Sequence, residues 1–546
     1  MLSIIFLYLC AMIAKQKMKK ILLCALTLLM GSVCKAEDIT IRYNGSTAKV
    51  TQKVKDSVTV SADGASVRIE SQYKEHKLTL RLKGKSDNGQ LILKTAGKAH
   101  VTLDGLELTS QEGAPIDLKN KKKVEVTVAK GTVNTLTITA CNDTANHKAA
   151  TIWAKDKLLL SGKGTLNVIA TGDGCRGIKT KKDITIEELT LNVTTSGDNL
   201  GENPFGFGGF PGMPEGGFQM PEGGFPPFGN DSTMRGGFPM GGFPPFGTDS
   251  IQRSGFPGFG GGGFPPFGND STMQGGFPMG GFPMGGFPDF GNRDENDEED
   301  GEEGGFGGFA GKHKYYASTK GIASKGKITI SSGNVTVRTA TAGAEGIEGK
   351  DGIVFNGGNV DVFSPDDAIN ANAIIEFNGA NVTARSKGND AVDSNPKSGF
   401  FMPFGGNNNS EDAEPAIVIR GGTVYAWSAV GSPEEGLDCD FAPLVVEGGT
   451  IFSVGGGMGE MPSVPTNQTA KQPTVLLIGI NIVKEEPVNI YDAEGKLIES
   501  VTIPFSLKRS ASLVSCPSFK TGNTYTVKTK GYEKTFTLNE NFTAVR

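Results

Sequence analysis

At 546 residues the chain is long enough for several domains, yet a net charge of −5 is too near neutral to imply a polyanion-binding surface. Its 78 Gly against two Trp point to regular turns and low-complexity material. No nucleic-acid motif is present, so no nucleic-acid partner is expected.

Residues 1–36 read as an export signal. Lys19 and Lys20 form a basic start, residues 21–30 an apolar stretch, and Val33-Cys34-Lys35-Ala36 a cleavage site before Glu37. A further apolar run before Met18 makes Met18 a second candidate start, and Gly31-Ser32-Val33-Cys34 is a poor lipoprotein box. An exported protein (extracellular, cell-surface or periplasmic) that does not span a membrane is expected. Beyond the leader, Cys141, Cys175, Cys439 and Cys516 show no CxxC and no zinc spacing. They are read as small apolar core residues or as one or two disulfides.

Residues 37–90 alternate apolar and polar with period two and are assigned to an N-terminal β segment or cap. Residues 91–455 are assigned to coils. A five-residue motif begins at Ala114, Ala150, Arg176, Lys320, Glu345, Asp367, Asp390 and Glu435. Its third position is apolar (Ile116, Ile152, Ile178, Ile322, Ile347, Ile369, Val392, Leu437), and its fifth is small in all but the first copy. Positions two apart on a strand share a face, so both are expected to point inward. A second short strand, a turn rich in Asn-Gly or Gly-Gly and a third strand such as TLNVIA, NVDVFS or TVYAWS follow each motif. Anchors Ile347, Ile369 and Val392 lie 22 and 23 residues apart, a period that signals stacked units. The fold class predicted is all-β: a parallel β-helix with three short strands per coil.

Two segments interrupt the array. Residues 201–311 repeat GGFPPFG and GGFPM, a composition without the aliphatic content of a core, and are expected to be disordered. Its acidic run, 294–303, fails the calcium-loop pattern, because Gly307 stands where a Glu is needed. Residues 396–414 form a smaller loop. Residues 473–546 return to period-two strands and are expected to form a small β cap over the last coil.

Position four should face outward. It reads Asp117, Trp153, Lys179, Ala323, Glu348, Asn370, Asp393, Asp438, and position six reads Lys119, Lys155, Lys181, Lys325, Lys350, Asn372, Asn395, Asp440. One face thus changes from lysine-lined to amide- and carboxylate-lined, and position one adds Glu345, Asp367, Asp390 and Glu435. Like charges on neighbouring strands repel, and a cation between them removes the penalty. Calcium, which takes oxygen ligands, is the cofactor expected at Glu345, Glu348, Asp367, Asn370, Asp390, Asp393, Glu435 and Asp438. A solvated acidic face is the bland alternative. Such a groove suits an anionic sugar polymer, with Lys325, Lys350, Asn372 and Asn395 contacting it and Trp153, Tyr425 or Trp427 as stacking platforms.

The run DDAINAN, with the coils CRGIKTKKDITI and EGIEGKDGIVFNGGNVDVFSPDDAIN, resembles the carbohydrate-binding-domain proteins of polysaccharide-lyase-like right-handed parallel β-helix fold. The resemblance covers about residues 85–200 and 312–530 and rests on no catalytic signature. It implies a secreted, calcium-binding β-helix that binds cellulose-like or acidic plant polysaccharides, and the reading taken is a non-catalytic protein and a monomer. One rival is a calcium-dependent polysaccharide lyase of the same fold. A lyase needs a Lys or Arg base, for which Lys350 and Lys325 are the candidates. The other rival is a surface adhesin or scaffold that binds through the Phe-rich insertion.

Overall fold

In the computed structural model, residues 37–141, 149–199, 318–396, 414–439, 442–457 and 462–546 are described. The leader, the insertion at 201–311, its acidic run and all but the two end residues of the 396–414 loop lie outside them. The described chain is all-β, with strand motifs that repeat and stack in a solenoid-like way.

Three sets of parallel strands carry the repeat. A first ladder runs through Ala150–Ala154, Arg176–Thr180, Lys320–Ser324, Glu345–Gly349, Ile369–Ala371, Val392–Ser394 and Leu437–Asp438. A second joins Leu158–Gly162 to Ile184–Glu187, Ile328–Ile330, Ile353–Phe355, Ile375–Phe377, Ile417–Ile419 and Leu444–Val446. The third joins Thr165–Ala170 to Thr190–Thr195, Asn334–Thr339, Asn359–Ser364, Asn381–Ser386, Thr423–Ser428 and Thr450–Gly455. Each anchor meets its own equivalent: Ile178 faces Ile322, which faces Ile347, then Ile369, Val392 and Leu437. All are buried, and burying such a side chain contributes about 1.5–3 kcal/mol.

Parallel pairing extends upstream of Leu91. Ser66–Ser71 pairs parallel with Gln90–Thr95, and Ile39–Asn44 with Leu78–Ser86. Alternation with period two is the same in a hairpin strand and in a ladder strand, so it does not name the partner. Across the insertion the register is unbroken, because Ile178 pairs directly with Ile322. Asn199 stitches that gap: its Oδ1 accepts from Thr319 N at 2.9 Å, and its Nδ2 donates to Ala342 O at 2.7 Å. After Thr450–Gly455 the third ladder continues antiparallel with Leu507–Ser515, which pairs with Thr474–Ile482. Four antiparallel strands between Pro487 and Thr537 form a separate small sheet.

Turns before the third ladder use left-handed backbone at Gly358 and Gly422, with φ of +85° and +80°. Beside them Asn359 Nδ2 donates to Asn334 Oδ1 at 2.9 Å, and Asn381 Nδ2 to Asn359 Oδ1 at 3.0 Å, a side-chain ladder along the corner.

Where the first and third ladders meet, volume is matched coil by coil. A Cβ on Gly177, Gly321 or Gly346 would lie 2.4, 2.3 or 2.4 Å from a methyl of Val193, Val337 or Val362. In the next two coils the pairing puts Ala384 and Ala426 in the place of that valine. There the glycine position becomes Ala368 and Ala391. One side grows as the other shrinks, as close packing demands.

Gly346→Ala is therefore expected to destabilise by about 1–3 kcal/mol in denaturant titration. Adding Val362→Ala should recover part of that loss, giving a coupling above about 0.5 kcal/mol in the double-mutant cycle. Strict additivity of the two costs would show that these residues do not share one space.

Candidate functional site

Because the strands pair in register, side chains at equivalent positions of the first ladder stack above one another. Lys320 faces Glu345, Glu348 faces Asn370, Asn370 faces Asp393 and Asp393 faces Asp438. Glu345, Glu348, Asn370, Asp393 and Asp438 therefore lie along one ladder, whereas Trp153 stands three rungs before Glu348.

They do not lie on an open surface, and here the structure corrects the sequence reading. Glu348, Asp367, Asp390, Asp393 and Glu435 are buried, exposed by only 5–8%. Neighbouring polar side chains at positions one, four and six bond to one another, as Asn370 does to Asp367 and Asp393 and Asn395 does to Asp393. Glu345, Asn370 and Asp438 are half-buried. Trp153 is buried against Ala114 and Ala150, two small residues at position one that leave space for the indole. Trp427 is buried too, its Nε1 donating to Phe452 O at 3.1 Å, and Tyr425 stacks on it at 5.5 Å. Tyr425 also donates to Glu499 at 3.3 Å, so none of the three is an open platform for a sugar.

The upper part of the line is an ion-pair cluster. Lys320, itself buried, places Nζ 3.3 Å from Glu345 and 2.6 Å from Glu348, and Lys350 Nζ lies 2.5 Å from Glu348. Burial works against the charge on Lys320, but Glu345 and Glu348 outweigh it and raise its pKa. Burial likewise disfavours the Glu348 carboxylate, and the two lysines reverse this and hold it well below the usual range. Glu345 goes the other way: desolvation dominates, and the Lys320 attraction is too small to prevent a rise.

The lower part is built from carboxylates and amides. Asn370 Nδ2 donates to Asp367 at 3.0 Å and to Asp393 at 3.3 Å, and Asn395 Nδ2 donates to Asp393 at 2.7 Å. Backbone N–H groups of Asp390 and Glu435 donate to Asp367 and Asp390. Ser463 N donates to Glu435 at 2.7 Å and its hydroxyl to Asp438 at 3.4 Å. Burial raises Asp367 well above the carboxylate range, and Asp393, Asp366, Glu345 and Asp390 add to it. Burial and Asp438 push Glu435 up to about 8, despite the Ser463 hydrogen bonds. Asn370 Oδ1 is buried and has no hydrogen-bond partner among the described residues. Also among the described residues, no three Asp, Glu, His or Cys converge as a ready metal cage.

Lys325 and Lys350 are exposed and Asn372 is half-buried beside the line. Two participants escape a motif reading. Lys320 occupies position one of the coil before Glu345, and its register with Glu345 was the available signal. Ser463 lies in a loop beyond the repeats, where no periodicity points to it.

A family profile described as "Carbohydrate-binding domain-containing protein" matches residues 39–203 and 316–475. A protein of that description from Acetivibrio thermocellus is 29% identical over 191 residues, which are 33% of this chain. The match spans 66% of that relative, just under two thirds of its length. Among solved structures, the polysaccharide lyase-like protein from C. thermocellum, as a gadolinium derivative, is 17% identical with a TM-score of 0.37. That match covers 65% of this chain and 92% of the other.

Two measurements test the electrostatics. In chelator, stability is expected to fall as pH rises from about 5 to about 8. The folded pKa of Glu435 is raised from 4.5 to about 8, so its contribution is present below 4.5 and lost as pH passes through the folded value. Asp367 and Glu345 are raised as well and act in the same direction. A melting temperature that climbs over this window would refute the assignment. Separately, Lys320→Met should cost about 3–5 kcal/mol by stranding buried carboxylates, and Glu348→Gln added to it should restore part of the loss.

Proposed function

The chain belongs to the carbohydrate-binding domain-containing proteins, and from that premise we propose that it is an exported, non-catalytic protein that binds an acidic polysaccharide with the help of calcium. Its fold, in this reading, is a right-handed parallel β-helix of three short strands per coil, closed by the C-terminal strands as a cap. It acts as a monomer. Among the described residues no helix is long and apolar enough to cross a membrane.

The observation that carries the reading is the line of position-six side chains. Backbone hydrogen bonds stack them one coil apart: Lys181 N to Ala154 O at 3.0 Å, Lys325 N to Thr180 O at 3.1 Å, Lys350 N to Ser324 O at 3.0 Å and Asn395 N to Ala371 O at 2.9 Å. Neighbouring strands lie about 4.8 Å apart, so a linear polymer along the stack meets one cation or amide per coil. Where the lysines end, Asp367, Asp393, Glu435 and Asp438 begin.

Calcium fits the chemistry of that lower part. The donors are all oxygen, the carboxylates are buried beside one another, and Asn370 Oδ1 awaits a partner. With its amide turned so that Oδ1 rather than Nδ2 faces the two carboxylates, Asn370 would hold the ion with Asp367 and Asp393, and Glu435, Asp438 and Asp390 would supply further negative charge. Since the described residues offer no complete cage, remaining positions fall to water and to carboxylates of the polymer. Bound there, calcium supplies charge that links the two acidic partners.

Lysine chemistry favours binding over cleavage. A lyase base must present a free amine, whereas Lys350 Nζ is held by Glu348 at 2.5 Å. Lys325, on the coil before, is one rung of a basic ladder that also runs past coils without acids.

Affinity electrophoresis through polygalacturonate, with ultraviolet absorbance followed in parallel, tests this. Retention should require calcium, disappear in chelator and weaken about tenfold in Asp393→Asn, a loss of about 1.4 kcal/mol. The pair Lys325→Ala and Lys350→Ala should weaken it independently of calcium. Retention unchanged by chelator would overturn the role of calcium. Absorbance of unsaturated product that rises and is abolished by Lys350→Ala would make the protein a lyase instead.

A further inference from the structure

We infer that Cys141 and Cys175 are a disulfide-forming pair that ties one coil to the next. The third ladder brings them together. Its strands Val133–Ile138 and Thr165–Ala170 pair residue for residue, with Ile138 opposite Ala170. The alignment continues past the strands: Thr171 N donates to Ile138 O at 2.9 Å, and a Cβ on Gly172 would sit 3.0 Å from Ala140 Cα. Both segments then lead to the same small apolar cluster. Cys175 is fully buried there with Ile138, Ala149 and Ala170, and Cys141 packs against that cluster.

Among the described residues, the other two cysteines have no such relation. Cys439 belongs to the main core at the end of the first ladder, whereas Cys516 belongs to the core shared with the C-terminal strands. Neither cluster contains a second cysteine. The pairing is therefore specific to the corner after the strand Val133–Ile138.

The two thiols play different parts. Burial pushes Cys175 up to about 12, and the neighbouring Cys141 adds to the rise, so Cys175 is a poor first nucleophile. Cys141 is half-buried and is the one an oxidant can reach. The oxidant is a disulfide, either glutathione disulfide or that of an oxidoreductase. Cys141, as thiolate, attacks one of its sulfurs and expels the first thiolate. Cys175 then loses its proton to water and attacks the Cys141 sulfur, expelling the second. Two protein thiols become one S–S bond, and the oxidant disulfide is reduced to two thiols.

The test equilibrates the full chain in glutathione buffers from reducing to oxidising, quenches with acid, alkylates in denaturant and maps peptides by mass. The expected result is a cross-linked Cys141–Cys175 peptide in oxidising buffer, with Cys439 and Cys516 alkylated throughout. The oxidised form should melt several degrees higher, and Cys141→Ser should remove that difference while leaving the reduced melting temperature unchanged. Cys175→Ala, which keeps the buried site apolar, should do the same. Full alkylation of both residues in the most oxidising buffer, or cross-links only to other cysteines, would overturn the pairing.

Discussion

In-register parallel stacking is the constraint on which this protein rests. Each strand residue of a coil lies over its equivalent in the next, about 4.8 Å away. Whatever a position does once, it does again along the stack. For the isoleucine anchors the repetition is favourable, since each buries the one above and below. For asparagines it is favourable too, because an amide both donates and accepts, as Asn334, Asn359 and Asn381 do. Carboxylates can only accept when ionised, so repetition turns into repulsion.

The molecule meets that repulsion in two ways. In the upper coils a buried lysine is threaded between glutamates, with Lys320 serving Glu345 and Glu348 together. In the lower coils amide and backbone N–H donors take that place, and burial raises Asp367 and Glu435. With Lys350 also on Glu348, the first solution sets two lysines against two glutamates. The second is satisfied by protons or by a cation, and this is why calcium is proposed for the lower coils and the ion-pair cluster is left to hold the fold.

Packing tolerates this chemistry because it is settled elsewhere. The first ladder meets the third through the second position of the motif, where glycine faces valine and alanine faces alanine. Position four is then free of the core and can change from Trp153 to Lys179, Glu348 or Asp393 without altering the register. The insertion after Asn199 is accommodated on the same logic, since Ile178 and Ile322 pair as though adjacent.

The sequence by itself determined the repeat. Apolar anchors at fixed offset, small residues two places on and glycine-rich corners follow from strand geometry, which is local and periodic. It also determined which acids share a line, because equal position in a repeat means stacking. What it could not determine was burial. Period two says which side of a strand a residue lies on, and nothing about what covers that side. So Trp153, which looked like an exposed platform, packs on Ala114 and Ala150, and five acids expected on an open face are buried. Ser463 was decided by tertiary structure alone, since it lies in a loop without a repeat, whereas Lys320, whose register with Glu345 the repeat does give, reaches Glu348 only through the length of its side chain across a rung. Contacts of that kind depend on where a chain returns in space, which no local period records.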